Sequence, residues 1–170
     1  MKQKKGIVTR IRKERQMINV LFVCLGNICR SPMGEAVLRH KAEERGLGAK
    51  IRVDSAGTGD WHIGNPPHEG TLNQLKLHGI SEHGLQARQM KGHDFEAFDY
   101  IVCMDDSNER NIRKIAGGAE ADILKFMDLL PQEKLREVPD PYFTGNFEET
   151  YRLMDAGCNA LLDKIIEKKL

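Results

Sequence analysis

From Ile18 to Cys24 the chain is apolar except at Asn19, and the run ends on a cysteine. A segment this short that is hydrophobic at successive positions reads as a strand buried on both faces, the habit of an inner strand of a parallel sheet. The next residues narrow the fold further. A loop spans residues 24–31, and Ser31-Pro32 then reads as the start of a helix, Ser being a favoured N-cap and Pro fitting the first helical position. That helix is expected to reach about Arg45 and to stop at Gly46. Further along, Ile51 to Ser55 reads as a second strand, Ala56 to Pro67 as a Gly/Pro-rich loop containing Trp61, and a helix then ends near Gly79. Tyr100 to Met104 is the third expected strand and Ile123 to Phe126 the fourth. Asp106 with Glu109, and Asn146 with Glu149, have the spacing of helix-opening caps. In the last helix, Leu153, Met154, Gly157, Ala160, Leu161 and Ile165 share one face.

Strands alternating with helices imply an α/β domain: an open, mostly parallel sheet with helices on both faces. Ligands of such sheets bind beyond the carboxyl ends of the strands, near the point where strand order reverses. The loop after the first strand is therefore the candidate site.

At 170 residues the chain has the size of one domain. Charge is uneven. Residues 1–16 carry seven basic side chains and one acid, which leaves 19 basic against 24 acidic side chains for the rest. The body is acidic, so nucleic acid is not an expected partner. Residues 1–17 show no stable period and are read as a disordered basic extension, with residues 18–170 as the single domain. Met17 is a candidate alternative start, which would make residues 1–16 dispensable. A phosphate- or membrane-attracted tail and a transit peptide are the competing readings, the latter weaker because the segment has no Ser. No apolar stretch falls within the first sixteen residues, and the longest apolar run is far too short for a bilayer, so no membrane association and a cytoplasmic location are expected. Four cysteines in such a chain are expected to be reduced.

The loop Cys24-Leu25-Gly26-Asn27-Ile28-Cys29-Arg30-Ser31 carries the chemistry. Gly26 and Asn27 tolerate positive φ, which lets the backbone curl with its N–H groups inward. Inward N–H groups beside a helix N-terminus bind anions, and the planar fork of Arg30 suits two phosphate oxygens. The same positive surroundings favour the thiolate of Cys24, to which Ser31 can donate a hydrogen bond. A thiolate beneath a bound phosphate is set for in-line attack on phosphorus. No cofactor or metal is called for. A four-cysteine zinc site needs a second close pair, and Cys103 and Cys158 stand alone. The Gly-Lys-Ser/Thr of nucleotide-hydrolase phosphate loops is absent.

These residues carry a resemblance. The segments VLFVCLGNICRSPMGEA from Val20, DSAGTGDWHIGNPP from Asp54, ARQ from Ala87, FDYIVCMDDSN from Phe98 and VPDPYFTGNFEE from Val138 are similar to the low-molecular-weight protein tyrosine phosphatases. The resemblance implies a flavodoxin-like three-layer sandwich with strand order 2-1-3-4. It implies hydrolysis of phosphotyrosine in proteins through a cysteinyl-phosphate. In it Cys24 is the nucleophile, Arg30 binds phosphate, Ser31 tunes the thiolate and Asn27 holds the loop. Asp140, before Pro141, is the general acid and then the base. The loop Leu25, Gly26, Asn27, Ile28, Cys29, Arg30 and Ser31 binds phosphate, and Trp61, Tyr142 and Phe143 form the substrate rim, with Leu25 and Ile28 at the mouth. For Trp61, packing on the core is the alternative. Cys29 is implied to form a reversible disulfide with Cys24, with plain packing as the alternative.

Related phosphoarginine phosphatases carry Thr where this chain has Ile28, which argues for phosphotyrosine. Related arsenate reductases need a close cysteine pair that Cys103 lacks. Many members brace the loop asparagine with a His that falls at Leu85 here; His83, two places early, reads as a surface turn residue. A monomer is expected.

Overall fold

The central strand decides the layering. In a computed structural model, which describes residues 17–118 and 121–170, β1 (Ile18–Cys24) pairs in parallel with β2 (Ile51–Gly57) on one side and β3 (Tyr100–Cys103) on the other. β4 (Ile123–Lys125) pairs in parallel with β3, giving the order β2-β1-β3-β4. This is the expected open parallel sheet. The expected basic extension at residues 1–16 lies outside the described residues.

Alternation along β1 sends its side chains to two cores. Val20 and Phe22 join Met33, Val37, Leu153, Met154 and Leu161, from α1 (Arg30–Glu44) and α6 (Phe147–Lys169), in the larger cluster. α2 (Glu69–Leu77) adds Leu75 to it. Leu21 and Val23 point the other way, against Met90, Ile101, Cys103 and Ile112. Ile112 belongs to α4 (Asp106–Ala116), and the short α3 (Asp94–Ala97) lies on the same side through Phe95. Each fully buried Leu, Ile or Phe contributes about 1.5–3 kcal/mol of transfer free energy, so β1 is held from both sides at once. Gly157 of α6 has no side chain where the Phe126 ring meets the helix.

Several boundaries differ from the expectation. β2 runs to Gly57, two residues beyond the apolar pattern, because residues 88–90 pair with its end: Gly57 N–H donates to Arg88 O at 2.8 Å and Met90 N–H to Gly57 O at 2.8 Å. The third strand stops at Cys103 and the fourth at Lys125, where a single 3-10 turn, Phe126–Leu129, begins. α4 is capped not by Asp106 but by Asp105, whose carboxylate accepts from Asn108 N–H at 2.7 Å. Asn146 does cap α6, accepting from Glu149 N–H at 3.0 Å. Ser31 is not an N-cap. α1 opens at Arg30 after Cys29, with no side-chain cap, so its first N–H groups remain open. Among the described residues, no helix is long and apolar enough to cross a membrane.

Candidate active site

The loop between β1 and α1 sits at the carboxyl end of the sheet, beside the strand where the order reverses. It curls around Asn27, which takes φ of 55°. The expected positive φ at Gly26 is not found; one left-handed residue suffices for the turn. Gly26 instead stays small because His62 presses on it, a Cβ there meeting the imidazole at 3.1 Å. Gly57 serves as the floor on which the loop rests. A Cβ on Gly57 would meet Leu25 O at 2.8 Å, and Gly59 N–H donates to Leu25 O at 2.9 Å.

The curl has a consequence for hydrogen bonding. Among the described residues, no protein acceptor takes the backbone N–H groups of Leu25 to Ser31. Amide donors in folded chains are ordinarily paired, so a run of open ones curled next to the start of α1 is a ready anion site.

Cys24 lies beneath this curl with its Sγ 3.0 Å from Ser31 Oγ. Asn27 Nδ2 donates to Ser31 Oγ at 2.7 Å and to Ser55 Oγ at 2.9 Å, while Asn27 Oδ1 accepts from Arg88 N–H at 2.9 Å. Ser55 in turn donates to Glu35 Oε1 at 2.7 Å, and Arg39 Nη1 donates to Glu35 Oε2 at 3.2 Å. Burial pushes the Glu35 carboxyl up to about 7, against the pull of Ser55 and Arg39. Asn27 is therefore braced by Ser31, Ser55 and the Arg88 backbone. Leu85 is part of the larger apolar core, and exposed His83 offers its carbonyl to Arg39 Nη2 at 3.1 Å.

Arg30 is buried and held from three directions. Its Nη1 donates to Asp105 Oδ2 at 2.7 Å and to Val138 O at 2.9 Å, and its Nη2 lies 3.4 Å from Asp140 Oδ2. Asp140 precedes α5 (Pro141–Thr144) and caps it, Oδ1 accepting from Tyr142 N–H at 3.0 Å. Pro141 thus starts a helical turn, and the turn fixes where the acid and the aromatic side chain beyond it stand.

Together these elements line a cleft of about 140 Å³ formed by Cys24, Leu25, Gly26, Ile28, Cys29, Arg30, Trp61, His62, Asp140, Tyr142 and Phe143. The sequence-predicted residues are thereby brought together, except that Asn27 and Ser31 stand behind the loop rather than on its surface. Trp61, Tyr142 and Phe143 are 68%, 59% and 78% exposed, so they form a rim rather than core. The His68 and Tyr142 rings stand edge-to-face, 6.2 Å between centres. Burial, with the charges of Cys24 and Asp140 adding to it, pushes the Cys29 thiol up to about 12. Burial does the same for Cys103, to about 12, and raises Cys158 as well. All four cysteines are free thiols. Among the described residues, no group of three or more His, Cys, Asp or Glu is placed to hold a metal.

Asp105, Glu35, Ser55, His62 and the Arg88 backbone were missed by sequence reasoning. Asp105 comes just after the end of the third strand, where the strand-end rule points; His62 adjoins Trp61. The other three carry no local signal.

The comparisons agree with this geometry. Residues 19–170 match the family described as low molecular weight phosphotyrosine protein phosphatase. The Bacillus subtilis protein named low molecular weight protein-tyrosine-phosphatase YfkJ is 52% identical over 90% of this chain and 99% of its own length. PtpA of Staphylococcus epidermidis, named likewise, is 42% identical over 89% of this chain and 96% of its own. The crystal structure of YfkJ superposes with a TM-score of 0.88 at 51% identity, covering 91% of this chain and 98% of that one. A Cys-based anion loop on a doubly wound sheet is thus the class of site present. The chain belongs to the low molecular weight phosphotyrosine protein phosphatase family and is a hydrolase of that class.

Proposed function

We propose that Cys24, Arg30 and Asp140 carry out the hydrolysis of phosphotyrosine in proteins, in two steps. The observation that carries the reading is the convergence in one cleft of a cysteine sulfur, a ring of unpartnered backbone N–H groups, an arginine and a carboxylate. The substrate phosphate occupies the ring of amides from Leu25 to Ser31 and takes the Arg30 fork. Cys24 attacks phosphorus in line, the bond to the phenolic oxygen breaks, and Asp140 gives that oxygen a proton. Water then attacks the cysteinyl-phosphate, Asp140 takes the water's proton, and phosphate leaves with Cys24 again a thiolate. The donors that bind the ground state also meet the charge spreading over the equatorial oxygens.

Trp61, Tyr142 and Phe143 at the rim, with Leu25 and Ile28 at the mouth, suit a flat aromatic group carrying the phosphate. Ile28 supports phosphotyrosine over phosphoarginine, and the free, isolated Cys103 offers no relay for an arsenate reductase. The acidic body and the apolar rim favour phosphotyrosine proteins as partners, without nucleic acid or membrane. The protein acts as a cytoplasmic monomer, and residues 1–16 are dispensable. Cys29 pairs with Cys24 only under oxidation.

Turnover of an aryl phosphate by the wild type and Cys24→Ser tests the reading. The variant should be inactive, and turnover by Cys24→Ser would refute it. Ile28→Thr should raise the ratio of phosphoarginine to phosphotyrosine turnover, and an unchanged ratio would count against the assignment of Ile28.

A further inference from the structure

Arg88 lies outside the cleft, yet Nε, Nη1 and Nη2 are all engaged. Its Nη1 and Nη2 grip both oxygens of Asp94, at 3.0 and 3.2 Å. Its Nε and Nη2 reach Asp54 Oδ2 at 3.2 and 3.1 Å. Asp94 is 2% exposed and also accepts Lys91 N–H at 2.8 Å, at the head of α3. A buried carboxylate held this way fixes the guanidinium more firmly than an exposed ion pair does. The Arg88 main chain is tied as well. Its carbonyl accepts from Gly57 N–H, the residue on which the anion loop rests.

The remaining main-chain group of Arg88 points at the loop, its N–H donating to Asn27 Oδ1 at 2.9 Å. A backbone N–H can only donate, and this decides the rest of the network. Asn27 must turn its oxygen to Arg88 and its NH2 to the two hydroxyls. Ser31 Oγ then accepts from Asn27, and its own proton is left for the Cys24 sulfur 3.0 Å away.

Resting on the reading of Cys24 as nucleophile, we propose that Arg88, clamped by Asp54 and Asp94, is a positioning residue: its backbone N–H orients the Asn27 amide and so directs the Ser31 proton onto the Cys24 sulfur. A hydrogen bond given to the thiolate favours the charged form over the thiol. Loosening the clamp lets the Asn27 amide and Ser31 hydroxyl lose that direction. Binding of the substrate ring at the rim is untouched.

The test compares wild type, Arg88→Lys, Asp54→Asn, Cys24→Ser, and Ser31→Ala with and without Arg88→Lys. Readouts are kcat and KM for an aryl phosphate, the pH profile of iodoacetate inactivation, and melting. Lys is a point charge that cannot grip both carboxylates. Arg88→Lys should lower kcat about 10-fold with KM changed less than about 2-fold, and should move the inactivation profile up by roughly one pH unit. Asp54→Asn, on the more exposed side of the clamp, should move both in the same direction, about 3-fold in kcat. In a Ser31→Ala background, Arg88→Lys should add less than about 2-fold, since the proton it directs is gone.

A folded Arg88→Lys with a lower melting temperature but the wild-type pH profile overturns the proposal. So does an undiminished Arg88→Lys effect in the Ser31→Ala background. If Arg88→Lys does not fold, a wild-type profile in Asp54→Asn overturns it instead. Turnover by Cys24→Ser would sink the nucleophile reading itself, whereas an inactive Cys24→Ser beside an unaffected Arg88→Lys sinks the clamp alone.

Discussion

Arg30 Nη1 rests 2.7 Å from Asp105 Oδ2, joining the anion loop to the end of β3 across 75 residues of chain. The other Asp105 oxygen caps α4. One carboxylate therefore aims the phosphate-binding fork and starts a helix. Asp105→Asn keeps a cap oxygen but removes the charge that steadies Arg30. Orthovanadate inhibition should weaken about 10-fold with little change in melting. Asp105→Ala should cost a further helix cap, about 1 kcal/mol in denaturant unfolding.

Asp140 also has two jobs, since one oxygen caps α5 and the other faces Arg30. Asp140→Asn preserves the cap while removing the exchangeable proton. Steady-state turnover should fall by roughly 10²–10⁴, most for substrates whose leaving group is a poor one. A uniform fall across leaving groups would argue against proton donation.

Glu35 gives a pH dependence with a definite sign. Burial, the largest cause, pushes its folded carboxyl up from an ordinary 4.5 to about 7. The folded state thus holds this proton more tightly than the unfolded state. The contribution is fully present below about pH 4.5 and is lost as pH rises through about 7. Glu35→Gln removes the titration while keeping an acceptor for Ser55. Between about pH 4.5 and 8, denaturant unfolding should show the variant gaining on wild type by about 3 kcal/mol.

Cys29 is a buried thiol pushed up to about 12, and so is a neutral group beside the nucleophile. Peroxide converts the Cys24 thiolate to a sulfenic acid with release of hydroxide. Condensation with the Cys29 thiol then forms the disulfide and water. Thiol reductant should restore most activity to the oxidised wild type and much less to Cys29→Ser. Equal recovery would make Cys29 a packing residue.

The parts of the site written contiguously were legible in the sequence. Cys24 to Ser31 and Asp140-Pro141 are each a single local segment; strand periodicity placed the first at a sheet end, and the second, some way past the last strand, was legible only through the family resemblance. The errors were at places where adjacent residues compete for one local job. Asp105 and Asp106 are both plausible caps, but only Asp105 also reaches Arg30. Ser31 has the residue type of a cap, yet its hydroxyl is taken by Asn27 and Cys24, leaving the start of α1 uncapped and open to an anion. The Asn27 brace was illegible for a different reason. Ser55, Glu35 and a backbone N–H at Arg88 meet only after β1, β2 and α1 have packed, and a backbone donor leaves no mark on composition.

The most direct test is to quench Asp140→Asn during turnover of an aryl phosphate and locate covalent phosphate by mass spectrometry. Phosphate on the sulfur of Cys24 is the expected result. Continued turnover with no phosphate on the peptide bearing Cys24, or phosphate on a different residue, would contradict the account.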